Sequence, residues 1–126
     1  MKKIIASVLL VMLVCTASLA SASTPFSYRG SEKVDFIQWS QPAESTGNYW
    51  HIVWGDNNLS STKRAVVRVY AAPGVYASSL FVYDSPSTAY HPYKSGYGQG
   101  KSNTYLGGRM DNRDSGELNV KGEFYN

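Results

Sequence analysis

Leu118-Asn119-Val120-Lys121-Gly122-Glu123-Phe124 alternates residue by residue between apolar or small side chains and polar ones. Successive side chains of an extended strand point to opposite faces, so this run predicts a strand with one dry face and one wet face. Working back from it, Val, Ile, Tyr, Trp and Phe recur in short groups separated by Gly, Pro, Asn, Asp and Ser. That is the spacing of an all-β domain, and nothing in it has the period of a long amphipathic helix.

Further strands are predicted over 34–40, 49–54, 65–71, 75–83 and 104–110, with a short edge strand over 88–93 where Pro92 would remove a ladder donor from any central position. Tyr49 to Trp54 is apolar on both faces apart from His51, which suggests an inner strand. Gly55-Asp56-Asn57-Asn58, Ala72-Pro73-Gly74 and Asp111 to Gly116 read as turns. About six or seven short strands at this spacing describe a small antiparallel β-sandwich or barrel.

The N-terminus reads as a secretory signal. Lys2 and Lys3 precede an apolar run from Ile4 to Val14, which is too short for a stable membrane span. Ala20-Ser21-Ala22 then gives a small-x-small cleavage pattern, placing the signal at 1–22 and a single secreted β-domain at 23–126. Val14 is too bulky for the position before an acylated Cys15, so cleavage would discard the chain's one cysteine. The mature domain would have no disulfide and would depend on its packed core.

Cleavage also changes the charge. The full chain carries 12 basic and 9 acidic residues, and loss of Lys2 and Lys3 leaves 10 against 9, or +1. A nucleic-acid-binding domain would keep a clear basic excess, so nucleic acid is not an expected partner. Removing 22 residues from 126 leaves 104, enough for one domain with its own core.

The closing third carries a resemblance. Tyr93-Lys94, a Gly/Ser-rich break, Lys101 to Leu106, Asp111-Asn112 with Ser115, and Val120-Lys121-Gly122-Glu123-Phe124 resemble the C-terminal half of an uncharacterised family of small secreted β-proteins of Gram-positive bacteria. Tyr28-Arg29 matches an early Tyr-Arg pair of that family, whereas the chain stops at Tyr125-Asn126 without the family's usual acidic ending. The resemblance implies a secreted bacterial β-protein and supplies no activity, cofactor or site.

Motifs for catalysis and metal binding are few. There are two histidines, and neither stands in a paired metal-ligand spacing; no serine lies in a G-x-S-x-G elbow. His51 reads as a half-buried strand residue. Asp56-Asn57-Asn58 and Asp111-Asn112-Arg113-Asp114 lack the calcium-loop spacing and read as turns, and Asn58-Leu59-Ser60 as an idle glycosylation sequon. No catalytic residue, metal site or cofactor is expected.

Two aromatic groups stand as candidate ligand-binding residues. Trp50 and Trp54 share one strand face, either as a sugar-stacking platform or as core. Tyr90, His91, Tyr93, Tyr97 and Tyr105 flank a loop containing Gly96, Gly98 and Gly100, and tyrosine on a Gly/Ser scaffold makes adaptable recognition loops. The expected function is a non-enzymatic binding protein acting outside the cell, with an envelope polymer or surface protein as partner. A bacteriocin-like or toxin-like effector is the alternative, and a glycan or cell-wall hydrolase the third.

Overall fold

The computed structural model describes residues 23–126; the proposed signal segment and Cys15 lie outside the described residues. Ten strands run through this region: β1 (Thr24–Gly30), β2 (Ile37–Gln38), β3 (Ala43–Glu44), β4 (Tyr49–Asn57), β5 (Ala65–Ala72), β6 (Val75–Tyr76), β7 (Phe81–Tyr83), β8 (His91–Pro92), β9 (Asn103–Met110) and β10 (Leu118–Tyr125). They form two antiparallel sheets, and the chain is a small all-β sandwich. The first sheet has the order β1-β10-β4-β8; the second has β2-β9-β5-β6, with β3 also on β9 and β7 also on β5.

Alternation puts the core between the sheets. Leu118, Val120 and Phe124 of β10 are buried, as are Trp50 and Ile52 of β4. Val67 and Val69 of β5 meet them from the other side with Leu106 and Met110 of β9. Each such aliphatic side chain contributes roughly 1.5–3 kcal/mol on burial, which is how a sandwich of this size holds without cross-links.

Backbone hydrogen bonds lace the two sheets along both sides. On one side the Ser27 N–H donates to the Trp39 carbonyl at 3.2 Å, and the Trp39 N–H donates to the Leu106 carbonyl at 2.9 Å. On the other, the Tyr93 N–H donates to the Asn48 carbonyl at 3.0 Å and the Lys94 N–H to the Ala77 carbonyl at 2.8 Å.

Several elements differ from the sequence expectation. β1 was not anticipated; its alternation is weak, and it is fixed instead by its full pairing with β10. The strand expected over 34–40 contracts to Ile37–Gln38 because Glu32 draws the chain into a turn. The Glu32 carboxylate accepts the amide N–H groups of Lys33, Val34 and Asp35 at 3.0, 2.8 and 3.1 Å. β4 runs through the expected turn to Asn57, and only one of its faces is buried: Tyr49 and Val53 lie on the uncovered outer face. The run 75–83 breaks into β6 and β7, and the Ser78 hydroxyl at the break accepts the Val69 N–H at 3.0 Å.

Candidate ligand-binding surface

The tyrosine-rich group does not assemble as one recognition loop. His91 turns inward, its ring stacked on Phe81 at 3.8 Å between centroids and tilted against Trp50 at 4.8 Å. Its Nε2 lies 2.7 Å from the Tyr83 hydroxyl. Burial lowers the His91 pKa and raises that of Tyr83, because each charged form would lose its water. Tyr93 also points inward; its hydroxyl, 3.4 Å from the Thr104 hydroxyl, is pushed up to about 12 by burial. Tyr97 packs on the same core.

The loop that follows is tied down rather than free. The Gln99 N–H donates to the Gly47 carbonyl at 2.9 Å, the Gly100 N–H to the Ser45 carbonyl, and the buried Ser45 hydroxyl to the Tyr97 carbonyl at 2.8 Å. The segment is therefore a strap across the sandwich. The expectation of an adaptable loop fails because its backbone groups find partners in the 45–48 segment.

Trp50 belongs to the interior, whereas Trp54 packs against the core and also lines a hollow on the first sheet. Trp50 is fully buried and meets Phe81 and Phe124 edge-on, which removes it from any stacking platform. Trp54 is half-buried; its ring makes edge contacts with Phe26 and Tyr83, and its Nε1–H donates to the Ser87 carbonyl at 3.1 Å. Tyr90 alone of the loop group is widely exposed, with its ring 4.4 Å from that of His51. His51 in turn stacks on Tyr125 at 4.6 Å, on the outer face of the first sheet, and partial burial lowers its pKa.

Tyr105 leads to a different place. It lies on the outer face of the second sheet, stacked on Tyr70 of β5 at 5.4 Å with the rings 11° apart. Tyr76 of β6 meets Tyr70 edge-on at 5.4 Å, and Phe36 from the Glu32 turn leans on it at 6.0 Å. Between these rings is a cleft of about 460 Å³, with Tyr70, Tyr105 and Gly107 among its lining, Val34 and Ile37 from one segment and Pro73 and Gly74 from another. The Tyr70 and Tyr105 hydroxyls have no hydrogen-bond partner among the described residues, and burial raises the pKa of both.

Two glycines of β9 make this possible. A Cβ at Gly107 would fall 2.7 Å from Tyr70 Cε2, and one at Gly108 would fall 2.4 Å from Trp39 Cζ2. Tyr70 thus lies flat on the strand from outside, while Trp39 lies flat on it from within. Cations complete the surface. The Arg68 guanidinium sits over the Tyr76 ring at 4.0 Å and 5.8 Å from the centre of Phe36, and Arg109 lies over Phe36 at 5.2 Å.

Phe36, Arg68, Tyr70, Tyr76 and Arg109 were not singled out from the sequence. The usable signal was the two-residue period of β5, which places Arg68 and Tyr70 on one face; nothing local announced that Phe36 would fold over them. A wider hollow, about 620 Å³, lies along the first sheet between Pro25, Val53 and Lys121. It lacks a comparable set of free hydroxyls and stacked cations.

The buried carboxylates are already engaged. Asp114 accepts the Arg64 guanidinium through both oxygens, at 3.1 and 2.7 Å, and Asp111 accepts that of Arg113 at 2.9 and 2.8 Å. These guanidinium bonds hold both carboxyl groups below the usual carboxylate range. Among the described residues no group of His, Cys, Asp and Glu is placed to hold a metal ion, and no helix is long and apolar enough to cross a membrane. No protein-family model, curated protein or solved structure matches the chain.

Proposed function

We propose that this chain is a secreted, non-enzymatic binding protein of the cell envelope, and that it holds an envelope polymer in the cleft on the outer face of its second sheet. One observation carries the reading: the parallel Tyr70–Tyr105 pair floors a cleft of about 460 Å³ and keeps both hydroxyls free of internal partners. Tyr70 and Tyr105 are themselves largely buried, so the open ring face is that of Tyr76 and the floor pair offers its hydroxyls; aromatic walls with a few orienting polar groups are usual in small ligand sites. The N-terminal Lys-Lys and Ala-Ser-Ala pattern supports an extracellular setting, as does the resemblance of the closing third to small secreted proteins.

The test is retention of the purified 23–126 domain on a cell-wall fraction. Tyr76 is 43% exposed, so Tyr76→Ala removes cleft wall with little loss of core. Retention is expected to fall about tenfold in Tyr76→Ala, in proportion to a lost aromatic contact at a binding centre. Equal retention of wild type and variant would remove the cleft from the function. Retention on protein-bearing surfaces alone would replace the polymer with a surface protein, and killing of neighbouring strains without wall retention would favour an effector.

A further inference from the structure

Among the described residues no cation lines the cleft itself, but three lie against the Phe36 and Tyr76 rings that form part of its wall, and they bear on what it binds. Arg29, Arg64, Arg113 and Lys121 each have a carboxylate within ion-pair distance. Six cations have none among the described residues; Lys33, Lys63 and Lys101 lie elsewhere, while Arg68, Arg109 and Lys94 gather on the rings of Phe36 and Tyr76. Asp35 is the one acidic residue in the cleft lining, and it is exposed, so water screens its charge.

Stacking on an aromatic face fixes a guanidinium without using its in-plane N–H donors. The Arg68 Nε is buried with no acceptor among the described residues and is out of reach of a ligand, which leaves the terminal guanidinium N–H groups to meet one. Arg109 spends one N–H on the Met110 carbonyl at 3.0 Å. Planar cations held in place by ring faces, with donors left over, suit an acceptor-rich anion better than a neutral sugar.

We infer that the ligand of this cleft is an anionic polymer, whose sugar or polyol units lie against Tyr70, Tyr76 and Tyr105 while its acidic groups meet Arg68, Arg109 and Lys94. The inference rests on the binding reading above and narrows it to a ligand class. The shared chemistry is a repeating oxyanion, which phosphodiester-linked and uronate-containing polymers both provide.

The probes are poly(glycerol phosphate), polygalacturonate and neutral amylose, each titrated against the 23–126 domain by calorimetry. At least one of the two anionic probes is expected to bind at least tenfold more tightly than amylose, and the difference between them identifies the acidic group. Arg109→Gln and Lys94→Gln are each expected to weaken that binding about three- to tenfold. Arg29→Gln, the same charge change on the other sheet, is expected to leave it unaltered. Raising ionic strength from roughly 0.05 to roughly 0.5 M is expected to weaken it about tenfold.

Equal affinity for amylose, lost in Tyr76→Ala but not in Arg109→Gln, would overturn the anionic ligand and leave the binding reading standing. Anionic binding weakened as much by Arg29→Gln as by Arg109→Gln would be diffuse attraction and would overturn it too. No binding of any probe, together with no retention on whole wall, would overturn both.

Discussion

The sandwich has two tyrosine clusters built from the same side chains and put to opposite uses. Along the seam beside β8, Tyr83 and Tyr93 point inward and their hydroxyls meet His91 and Thr104. On the outer face of the second sheet, Tyr70 and Tyr105 are as well packed, yet their hydroxyls meet nothing within the described chain. Both clusters bury ring area, which stabilises the fold. The hydroxyls of Tyr83 and Tyr93 are spent inside the fold, whereas those of Tyr70 and Tyr105 have no partner among the described residues and are left to water or a ligand. Tyrosine content alone is therefore no guide to a site; what separates the clusters is where the hydroxyl ends.

The largest expected effect is on the seam. Tyr93→Ala should cost about 3–5 kcal/mol, the range for emptying a large aromatic from a core, and should be read as a lower urea midpoint. A cost under 1 kcal/mol would mean that the seam is as loosely built as the loop reading supposed. Ligand retention by the fraction still folded should be unchanged.

An intermediate effect belongs to the ion pairs that close the β9–β10 connection. Asp114→Asn should lower the melting temperature by several degrees at neutral pH, because it breaks two charge-assisted bonds from Arg64. The pKa of Asp114 is held down by Arg64, so the unfolded chain takes up the proton first as pH falls. The stabilisation is thus present above the ordinary carboxylate pKa of about 4 and lost as pH drops below it. Melting curves should show a shallower acid decline in Asp114→Asn than in the wild type; parallel declines would assign the acid sensitivity elsewhere.

The smallest effect on stability should come from Tyr105→Phe, which keeps the stacked ring and removes only the free hydroxyl. Unfolding should move by less than about 0.5 kcal/mol, since no internal hydrogen bond is lost. Binding to the cell-wall fraction should nevertheless weaken. Should stability fall instead while binding stays constant, the two tyrosine clusters would be equivalent and the contrast between them would disappear.

How much of this was legible in the sequence depended on whether the cause was local. The wet and dry faces of β10, the edge position of Pro92 and the course of β5 all follow from side-chain alternation and turn chemistry, and the structure has them. β1 and the contraction of 34–40 were not legible, because one depends on partners 88 to 100 positions away and the other on a carboxylate folding back on nearby amides. The candidate site was legible only through Tyr105. Its companions come from β5, β6 and the Glu32 turn, and no local pattern records that these meet. Aromatic character alone points to Trp50 and His91 as binding residues, and core and surface share that character.

The Gly107-Gly108 step joins matters that would otherwise be separate. Neighbouring positions on a strand serve opposite faces, so this one dipeptide sets the thickness of the wall between interior and cleft: a single backbone, with Trp39 against one side and Tyr70 against the other. Most binding surfaces stand on a scaffold deep enough to absorb change beneath them. Here the floor of the cleft and the roof of the core are the same strand. Any substitution that thickens it must displace a ring on one side, and the cleft cannot be reshaped at that point without the interior registering it.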